Sequence, residues 1–284
     1  ICEQDYHRLL EHKEIEAILI CSSTDTHAQI IVESAKVGKH VFCEKPIALE
    51  IDKIDQALAA VAKAGVKLQV GFNRRFDPSF KKAKELVGSG RIGTPQLLRI
   101  SSRDPQPPPL DYVKVSGGLF LDMMIHDFDM ARYLLGEEVT ELMAVGNCLI
   151  DPSIGKCGDI DTAVVILKFE SGALGAIDNS RQAIYGYDQR IEVFGSKGSV
   201  VVGNKTPTEV MVHSADSIHS DTPLFFFLER YQEAYLAEMH HFVNCLLEGK
   251  EPSAGGWDGK ISVLMGLAAQ ESLARATFVK VKKS

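Results

Sequence analysis

The chain has 284 residues, 45% of them hydrophobic and 24% charged, and a formal net charge of −7. These values are typical of a globular protein with enough length for two domains. The excess of acidic residues argues against nucleic acid as a partner. No apolar run approaches the roughly 18 residues that a membrane-spanning helix needs, so the composition does not favour a membrane protein either.

Six cysteines are scattered along the chain without a C-x-x-C pair: Cys2, Cys21, Cys43, Cys148, Cys157 and Cys245. This usage predicts reduced thiols and a cytoplasmic location. The chain begins with Ile1 rather than Met and shows no signal peptide, so we expect it to start partway through a longer protein.

The first part of the chain predicts a short helix within residues 3–13 and then repeats one unit three times: an apolar strand, a polar loop and a helix. The predicted strands are residues 16–21, 40–43 and 68–72, and the predicted helices are residues 28–37, 51–64 and 76–87. Apolar strands that alternate with helices indicate an α/β domain with a parallel sheet.

Polar residues follow each of these strands, in residues 22–27, 44–46 and 73–75. Because ligands of parallel sheets bind at the carboxyl ends of the strands, we expect a site there. Residues 88–93 also match the dinucleotide fingerprint G-x-G-x-x-G, but they follow a helix and precede a strand. The fingerprint requires the opposite order, since the pyrophosphate binds at the N-terminus of the following helix. Residues 88–93 are therefore interpreted as a helix stop and turn.

The second part of the chain predicts mostly strands, separated by short turns, and then two closing helices. The strands are residues 96–101, 140–147, 163–169, 173–180, 189–194, 199–202 and 209–213, and the helices are residues 228–247 and 258–276. Consecutive hairpins indicate an α+β domain with a large, mostly antiparallel open sheet. We place the domain boundary near residue 94, which gives domains of residues 1–94 and 95–284.

Residues 117–129, G-G-L-F-L-D-M-M-I-H-D-F-D, contain Asp122 and His126 four positions apart in a run with helical periodicity. The two side chains would share one helix face. A carboxylate beside an imidazole is suited to general-base chemistry, because the acid orients the ring and stabilises its charged form. The same spacing also fits a helix-stabilising pair or a core histidine. Asp127 and Asp129 follow, but no cluster of His or Cys accompanies them, and a metal site is not expected.

Four segments together resemble the Gfo/Idh/MocA oxidoreductases, and among these the inositol 2-dehydrogenases. They are Glu44-Lys45-Pro46 after a strand, residues 71–77 (G-F-N-R-R-F-D), residues 117–129 and residues 185–188 (Y-G-Y-D). The resemblance implies a partial Rossmann-type parallel-sheet domain followed by an α+β domain. It also implies transfer of a hydride from a secondary alcohol of a cyclic polyol, with myo-inositol first, or of a sugar, to NAD, with NADP not excluded.

The resemblance assigns roles residue by residue. Lys45, Asp122 and His126 would be catalytic, and Lys45, Arg74, Asp122, His126 and Tyr187 would contact the substrate. The cofactor side would be formed by Ser22, Ser23, Thr24, His27, Glu44, Lys45 and Arg74. His126 would take the alcohol proton, Asp122 would hold the ring, and Lys45 would stabilise alkoxide character.

Each of these residues has a plainer interpretation when it is taken alone. Lys45 fits a surface lysine, and Arg74 and Arg75 fit a solvated pair. Tyr185 and Tyr187 are two apart at the start of a strand, so they would share a face and could serve packing. Pro46 could follow a cis or a trans bond. It is the joint occurrence of these groups that favours catalysis.

One feature of the family does not appear in the sequence: the glycine-rich fingerprint that precedes these elements. A catalytically silent binding protein on the same scaffold is therefore an alternative. In the predicted strands 163–169 and 173–180, apolar residues occur among the side chains of both sheet faces. A strand with only one packed face would need them on that face alone. This pattern predicts self-association through the open sheet, and the resemblance implies a homotetramer.

Overall fold

The computed structural model of the protein describes residues 2–282. The first elements alternate as the sequence predicted: α1 (Tyr6–Glu11), β1 (Ala17–Ile20), α2 (Thr24–Lys36), β2 (His40–Glu44), α3 (Ile51–Ala64), β3 (Leu68–Gly71), a 3-10 turn (Asn73–Phe76) and α4 (Pro78–Gly88).

The middle of the chain is rich in strands, interrupted by short helices. Its elements are β4 (Pro95–Arg103), α5 (Leu110–Val113), α6 (Gly118–Asp122), α7 (Ile125–Leu135), β5 (Val139–Asn147), α8 (Pro152–Lys156), β6 (Thr162–Phe169), β7 (Leu174–Ser180), β8 (Asp188–Gly195) and β9 (Gly198–Val202). The last elements are β10 (Met211–His213), β11 (Ile218–Ser220), α9 (Phe227–Arg230), α10 (Gln232–Leu247), α11 (Gly256–Arg275) and β12 (Val279–Lys280).

The chain divides into two compact units. Unit 1 runs to Asn73 and adds Tyr235–Leu264, whereas unit 2 consists of Arg74–Ala234 and the chain from Met265 onward. The division therefore falls before the predicted boundary near residue 94. Helix α4 belongs to unit 2 because it packs on α7 and β9. Most of helix α10, from Tyr235, and the first half of α11 belong to unit 1, although they lie far along the sequence.

Unit 1 is built on a three-stranded parallel sheet in the order β1-β2-β3. Val41, Phe42 and Cys43 of the central strand are almost fully buried, as continuous apolar strands require when both sheet faces are covered. Helix α3 ends at Gly65, which takes a left-handed conformation. From α10, the Phe242 ring packs 5.9 Å from that of Phe42.

Unit 2 is built on a seven-stranded sheet in the order β12-β5-β6-β7-β4-β8-β9. All neighbouring pairs are antiparallel except β4 and β7, which run parallel. The predicted mostly antiparallel sheet is thus confirmed. The parallel pair was not predicted, since β4 is inserted between two strands that come much later in the sequence.

The two faces of this sheet differ in burial. On β6, Val165 and Leu167 are fully buried, whereas Val164 and Ile166 are 42% and 37% exposed. The open face carries further apolar side chains: Val145 of β5, Leu174 of β7, Phe194 of β8 and Val201 of β9. The apolar residues on both alternate sets of these strands therefore correspond to a sheet face that no helix within residues 2–282 covers.

The structure divides one predicted helix and confirms one predicted turn. The helix predicted for residues 228–247 is divided into α9 and α10, with Tyr231 between them. The glycine segment 88–93 ends α4 and leads into β4, with Gly90 and Gly93 at positive φ, so it is a turn. Within residues 2–282, none of the helices combines the length and the apolarity that a bilayer crossing requires.

Candidate active site

The loop after β1 in unit 1 carries three of the predicted cofactor residues. Ser22 and Ser23 are exposed, Thr24 opens α2, and Ser23 is the N-cap residue of that helix. The Ser22 hydroxyl lies 2.6 Å from the hydroxyl of Thr26. This segment therefore presents hydroxyl groups at the carboxyl end of a parallel strand, next to a helix N-terminus.

His27 is buried, with only 1% of its surface exposed. Its Nδ1 lies 2.8 Å from the carbonyl oxygen of Pro46, and its Nε2 lies 3.0 Å from the carbonyl oxygen of Ser22. Both ring nitrogens thus contact backbone carbonyls. The ring connects the loop after β1 to the segment after β2, and its predicted contact with the cofactor remains a prediction.

Glu44 and Lys45 lie at the carboxyl end of β2, and the bond between Lys45 and Pro46 is cis. Burial raises the pKa of the Glu44 carboxyl, and the charge of Lys45 partly opposes this shift. A Cβ atom at Gly71 would lie 2.8 Å from Oε2 of Glu44. The glycine at the end of β3 therefore leaves the space that the Glu44 carboxyl occupies.

In unit 2, residues 117–129 do not form one continuous helix, although the sequence showed helical periodicity throughout them. Helix α6 ends at Asp122 and α7 begins at Ile125, because the carbonyl of Leu119 accepts hydrogen bonds from both Met123 and Met124. Because the two N–H groups share one acceptor, this turn contains one residue more than an ordinary α-helical turn. The division of the helix falls between Asp122 and His126, and the pairing of these two side chains remains a prediction.

Both carboxylate oxygens of Asp122 have partners. The Tyr112 hydroxyl donates to Oδ1 at 2.8 Å, and Nη1 of Arg181 lies 3.3 Å from Oδ2. His126 lies in the first turn of α7. Asp122 is thus positioned by residues that the sequence analysis had not selected.

Asp127 and Asp129 form buried ion pairs with the two neighbouring arginines. Arg74 contacts Asp127 at 2.5 Å, and Arg75 contacts both oxygens of Asp129. Arg74 and Arg75 are 4% and 7% exposed, so they are not the solvated pair that was considered. Removal of one partner of such a pair typically costs about 3–5 kcal/mol, since the other charge stays buried.

The Arg74–Asp127 pair belongs to a larger buried network. Ser102 donates to Asp127 at 2.6 Å and accepts from Arg74 at 3.1 Å, and Asn179 donates to Asp127 at 2.9 Å. These hydrogen bonds hold the side chain of Asp127, the residue that follows His126, in one position. The predicted contact of Arg74 with substrate or cofactor remains a prediction, and its contacts within unit 2 are structural.

Tyr187 is 7% exposed, and its ring meets those of Phe226 and Tyr231 edge to face. Burial raises the pKa of its phenol well above the ordinary value, and Arg74 opposes that shift. Tyr185 is 41% exposed. The two tyrosines thus differ in burial, and both precede β8, with Gly186 at φ +126° between them, so the alternation of a strand does not apply to them.

Asp104 and Arg181 were missed because they depend on the unpredicted parallel pairing. Asp104 follows β4 and Arg181 follows β7, and the register pairs Arg103 with Ser180. Carboxyl ends of parallel neighbours meet at one edge of a sheet, so the two residues come together there. Burial, with the charges of Asp122 and Asp127, raises the pKa of Asp104 to about 6, against the opposing effect of Arg181 and Arg74.

Comparison with known proteins identifies the family. The model described as "Oxidoreductase family, NAD-binding Rossmann fold" matches residues 2–72, and that described as "GFO/IDH/MocA C-terminal domain" matches residues 80–201. The chain belongs to the Gfo/Idh/MocA oxidoreductases. The two matches agree with the division of the chain after Asn73.

Relatives within the Gfo/Idh/MocA family are named as inositol dehydrogenases. The myo-inositol 2-dehydrogenase of Thermotoga maritima is 53% identical over 280 residues, which cover 99% of this chain and 84% of that protein. A crystal structure of a probable dehydrogenase from Thermotoga maritima has a TM-score of 0.97 at 54% identity and covers 98% of this chain and 84% of that one. The scyllo-inositol dehydrogenase of Lactobacillus casei, solved with NAD(H) and scyllo-inositol, has a TM-score of 0.90 at 34% identity, with the same coverage.

Proposed function

We propose that this protein is an NAD-dependent dehydrogenase that oxidises a secondary alcohol of a cyclic polyol to a ketone, with myo-inositol as the first substrate to test. The observation that carries the proposal is the 53% identity with a myo-inositol 2-dehydrogenase over 99% of this chain. The relative solved with NAD(H) and scyllo-inositol supports the same substrate class.

The side chains at the carboxyl ends of β1 and β2 are suited to binding part of a dinucleotide. Hydroxyl groups of Ser22, Ser23 and Thr24 and the adjoining Glu44 and Lys45 at the carboxyl ends of β1 and β2 suit the nicotinamide side of a dinucleotide site. The one match to the glycine-rich phosphate fingerprint discussed above, residues 88–93, follows a helix and precedes a strand, so it does not have the arrangement that a phosphate site requires. When bound, NAD supplies the hydride acceptor.

The proton chemistry is assigned to unit 2. Oxidation of a secondary alcohol requires removal of the hydroxyl proton as the hydride leaves carbon, so a base must reach that hydroxyl. We assign this role to a ring nitrogen of His126, with Asp122 orienting the imidazole and stabilising its charged form. Lys45 is assigned the stabilisation of alkoxide character, and Tyr187 the contact with substrate.

The test is incubation with NAD and a panel that contains myo-inositol, scyllo-inositol and pyranose sugars, with reduced nicotinamide followed by absorbance. We expect turnover with an inositol. Turnover with a pyranose alone would instead support a sugar dehydrogenase or reductase. If calorimetry detects NAD binding but no member of the panel reacts, the dehydrogenase proposal is wrong. An NADP series in parallel reports cofactor preference.

We further propose that the protein is a cytoplasmic homotetramer that assembles through the open face of the seven-stranded sheet. Exposed Val164, Ile166 and Phe194 support burial of this face against another copy. All six cysteines are free, as expected for a reducing compartment. Light scattering that shows a monomer at micromolar concentration would contradict the assembly.

A further inference from the structure

Arg181 is a buried cation at the carboxyl end of β7. The backbone fixes its place, because the Arg181 N–H donates to the carbonyl of Asp161 at 2.8 Å and the Asp104 N–H donates to that of Ser180 at 3.0 Å. The side chain is 1% exposed. An arginine so completely buried requires nearby carboxylates, since an unpaired buried charge is strongly unfavourable.

The guanidinium of Arg181 bridges two carboxylates. Its Nη1 lies 3.3 Å from Oδ2 of Asp122, and its Nη2 lies 3.4 Å from Oδ2 of Asp159. The other oxygen of Asp159 accepts the N–H of Leu119 at 3.0 Å. Leu119 lies in α6, the helix that ends at Asp122. Arg181 is therefore tied to both ends of that short helix.

The charges around Arg181 are predominantly negative. Asp104, Asp122 and Asp159 face it, and the Tyr112 hydroxyl donates to Asp122. Arg74 and Asp127 form a neighbouring ion pair, and His126 lies in the first turn of the adjoining helix α7. One cation in contact with two of these three acids offsets part of their combined negative charge, which a neutral side chain could not do.

We propose that Arg181 is a positioning residue for the reaction, which holds Asp122 ionised and in a fixed orientation so that Asp122 can support His126. This inference rests on the proposed function, because Asp122 and His126 take their roles from it. Arg181 contacts neither cofactor nor substrate in this account. It acts through Asp122, with Asp159 as its second anchor and Tyr112 as the second support of the carboxylate.

The sign of the pH effect distinguishes Arg181 from Asp122. Loss of the Arg181 cation makes protonation of neighbouring groups easier, so the acidic limb of the kcat/KM profile moves to higher pH. Loss of the Asp122 charge acts in the opposite direction, because an adjacent anion raises the pKa of an imidazole. Substitution of a residue that only supports folding would leave the acidic limb of the profile unchanged.

The experiment compares Arg181→Gln, Arg181→Lys and the wild type. We expect Arg181→Gln to lower kcat about 10- to 100-fold, as mispositioned catalytic groups do, with little change in KM for NAD. Its acidic limb should move up by roughly half a unit to one unit. Arg181→Lys should restore the limb and part of kcat, because it keeps the charge but not the fork that reaches two carboxylates.

Arg132→Gln is the matched control. Arg132 is also a buried arginine of unit 2, and it pairs with Glu138. This variant should lose thermal stability without a shift of the pH profile. If Arg181→Gln behaves like it, with an unchanged or downward-shifted acidic limb per folded molecule, the inference is overturned.

A titration of His126 by NMR separates this inference from the proposed function. The signal is assigned by its loss in His126→Ala, and the pKa of His126 is compared between the wild type and Arg181→Gln. An upward shift supports the positioning role even if no polyol is turned over, in which case only the proposed activity fails. No shift in a folded Arg181→Gln protein overturns the role of Arg181 even if the wild type is an active inositol dehydrogenase.

Discussion

At the scale of single residues, three carboxylates of unit 2 have different neighbours, so we expect their substitution to have different effects. Asp122 is held by a phenol and a guanidinium, Asp127 is enclosed in a fully buried network, and Asp104 is half-buried near the charges of Arg181, Asp122, Arg74 and Asp127. Substitution of each tests a separate part of the proposed site.

His126 and Asp122 test the proton transfer. We expect His126→Ala to lower kcat by about 10² to 10⁴, or about 3–5 kcal/mol of barrier, with NAD binding little changed. Asp122→Asn should reduce the maximal rate and move the acidic limb of kcat/KM to lower pH, because the imidazolium loses its anionic neighbour. Rates and melting temperatures of both variants are measured together. A His126→Ala protein with full activity per folded molecule would end the catalytic assignment.

Asp104 tests a pH-dependent contribution to stability. Its pKa is about 6 in the folded protein against an ordinary 3.8. The folded state therefore favours the neutral carboxyl, and this stabilisation, present below about pH 4, is lost as the pH rises through about 6. Asp104→Asn should equal the wild type near pH 4 and exceed it at pH 8, by a free energy of unfolding on the order of 1–3 kcal/mol.

Thermal melts of Asp104→Asn and the wild type across pH 4 to 8 check this prediction. Glu209→Gln, at an exposed position, is the control and should show no such trend. A difference in melting temperature that is constant with pH would mean that the ionisation of Asp104 does not oppose folding.

At the scale of elements, the junction of α6 and α7 determines the geometry of the site. Gly117 and Gly118 both have positive φ immediately before α6 and at its first residue. A Cβ on Gly118 would lie 2.7 Å from Oδ1 of Asp159, the residue that also binds Leu119 and Arg181. The short helix is therefore held close to the Asp159 loop only because the side chain at residue 118 is absent.

We expect Gly118→Ala to lower the free energy of unfolding by about 2–4 kcal/mol, from backbone strain at φ +80° together with the clash at Asp159. Gly172→Ala is the matched control: its φ is +90° but nothing lies within 4 Å of the added carbon. Gly172→Ala should lower the free energy of unfolding only by the contribution of the backbone strain. Chemical denaturation of both variants gives the two values, and equal losses would show that the contact with Asp159 is unimportant.

At the scale of the whole molecule, the open face of the seven-stranded sheet combines apolar and charged side chains. Ile166 lies opposite Ala176, and Val164 lies opposite Asp178, which pairs with Arg103. An apolar face with charges at fixed positions suits a specific contact between copies, since the charges oppose other registers.

We expect Ile166→Glu to dissociate the proposed tetramer, because the new carboxylate would be buried without a partner. Light scattering or sedimentation at micromolar concentration measures the assembly. Val37→Glu introduces the same charge at an exposed apolar position of unit 1 and should leave the assembly intact. A wild-type tetramer that persists in Ile166→Glu would place the contact elsewhere.

The elements of unit 1 were predictable because each strand is a short apolar run bounded by loops, and the strands β2 and β3 are largely buried. Residues 16–21, 40–43 and 68–72 predicted β1, β2 and β3 within a residue or two. The motif residues Lys45, Asp122, His126 and Tyr187 could also be selected from sequence. Their chemical types and joint occurrence do not depend on how the strands pair.

Only the tertiary structure decided what surrounds those residues. The pairing of β4 with β7 joins segments more than 70 residues apart in the sequence, and local periodicity carries no information about such long-range pairing. That pairing places Arg181 beside Asp104, and Arg181 in turn contacts Asp122. Similarly, a widened turn at Met123 and Met124 divides a run whose sequence predicts one continuous helix. The N–H groups of both residues donate to the carbonyl of Leu119, and the types of these residues do not predict that pattern.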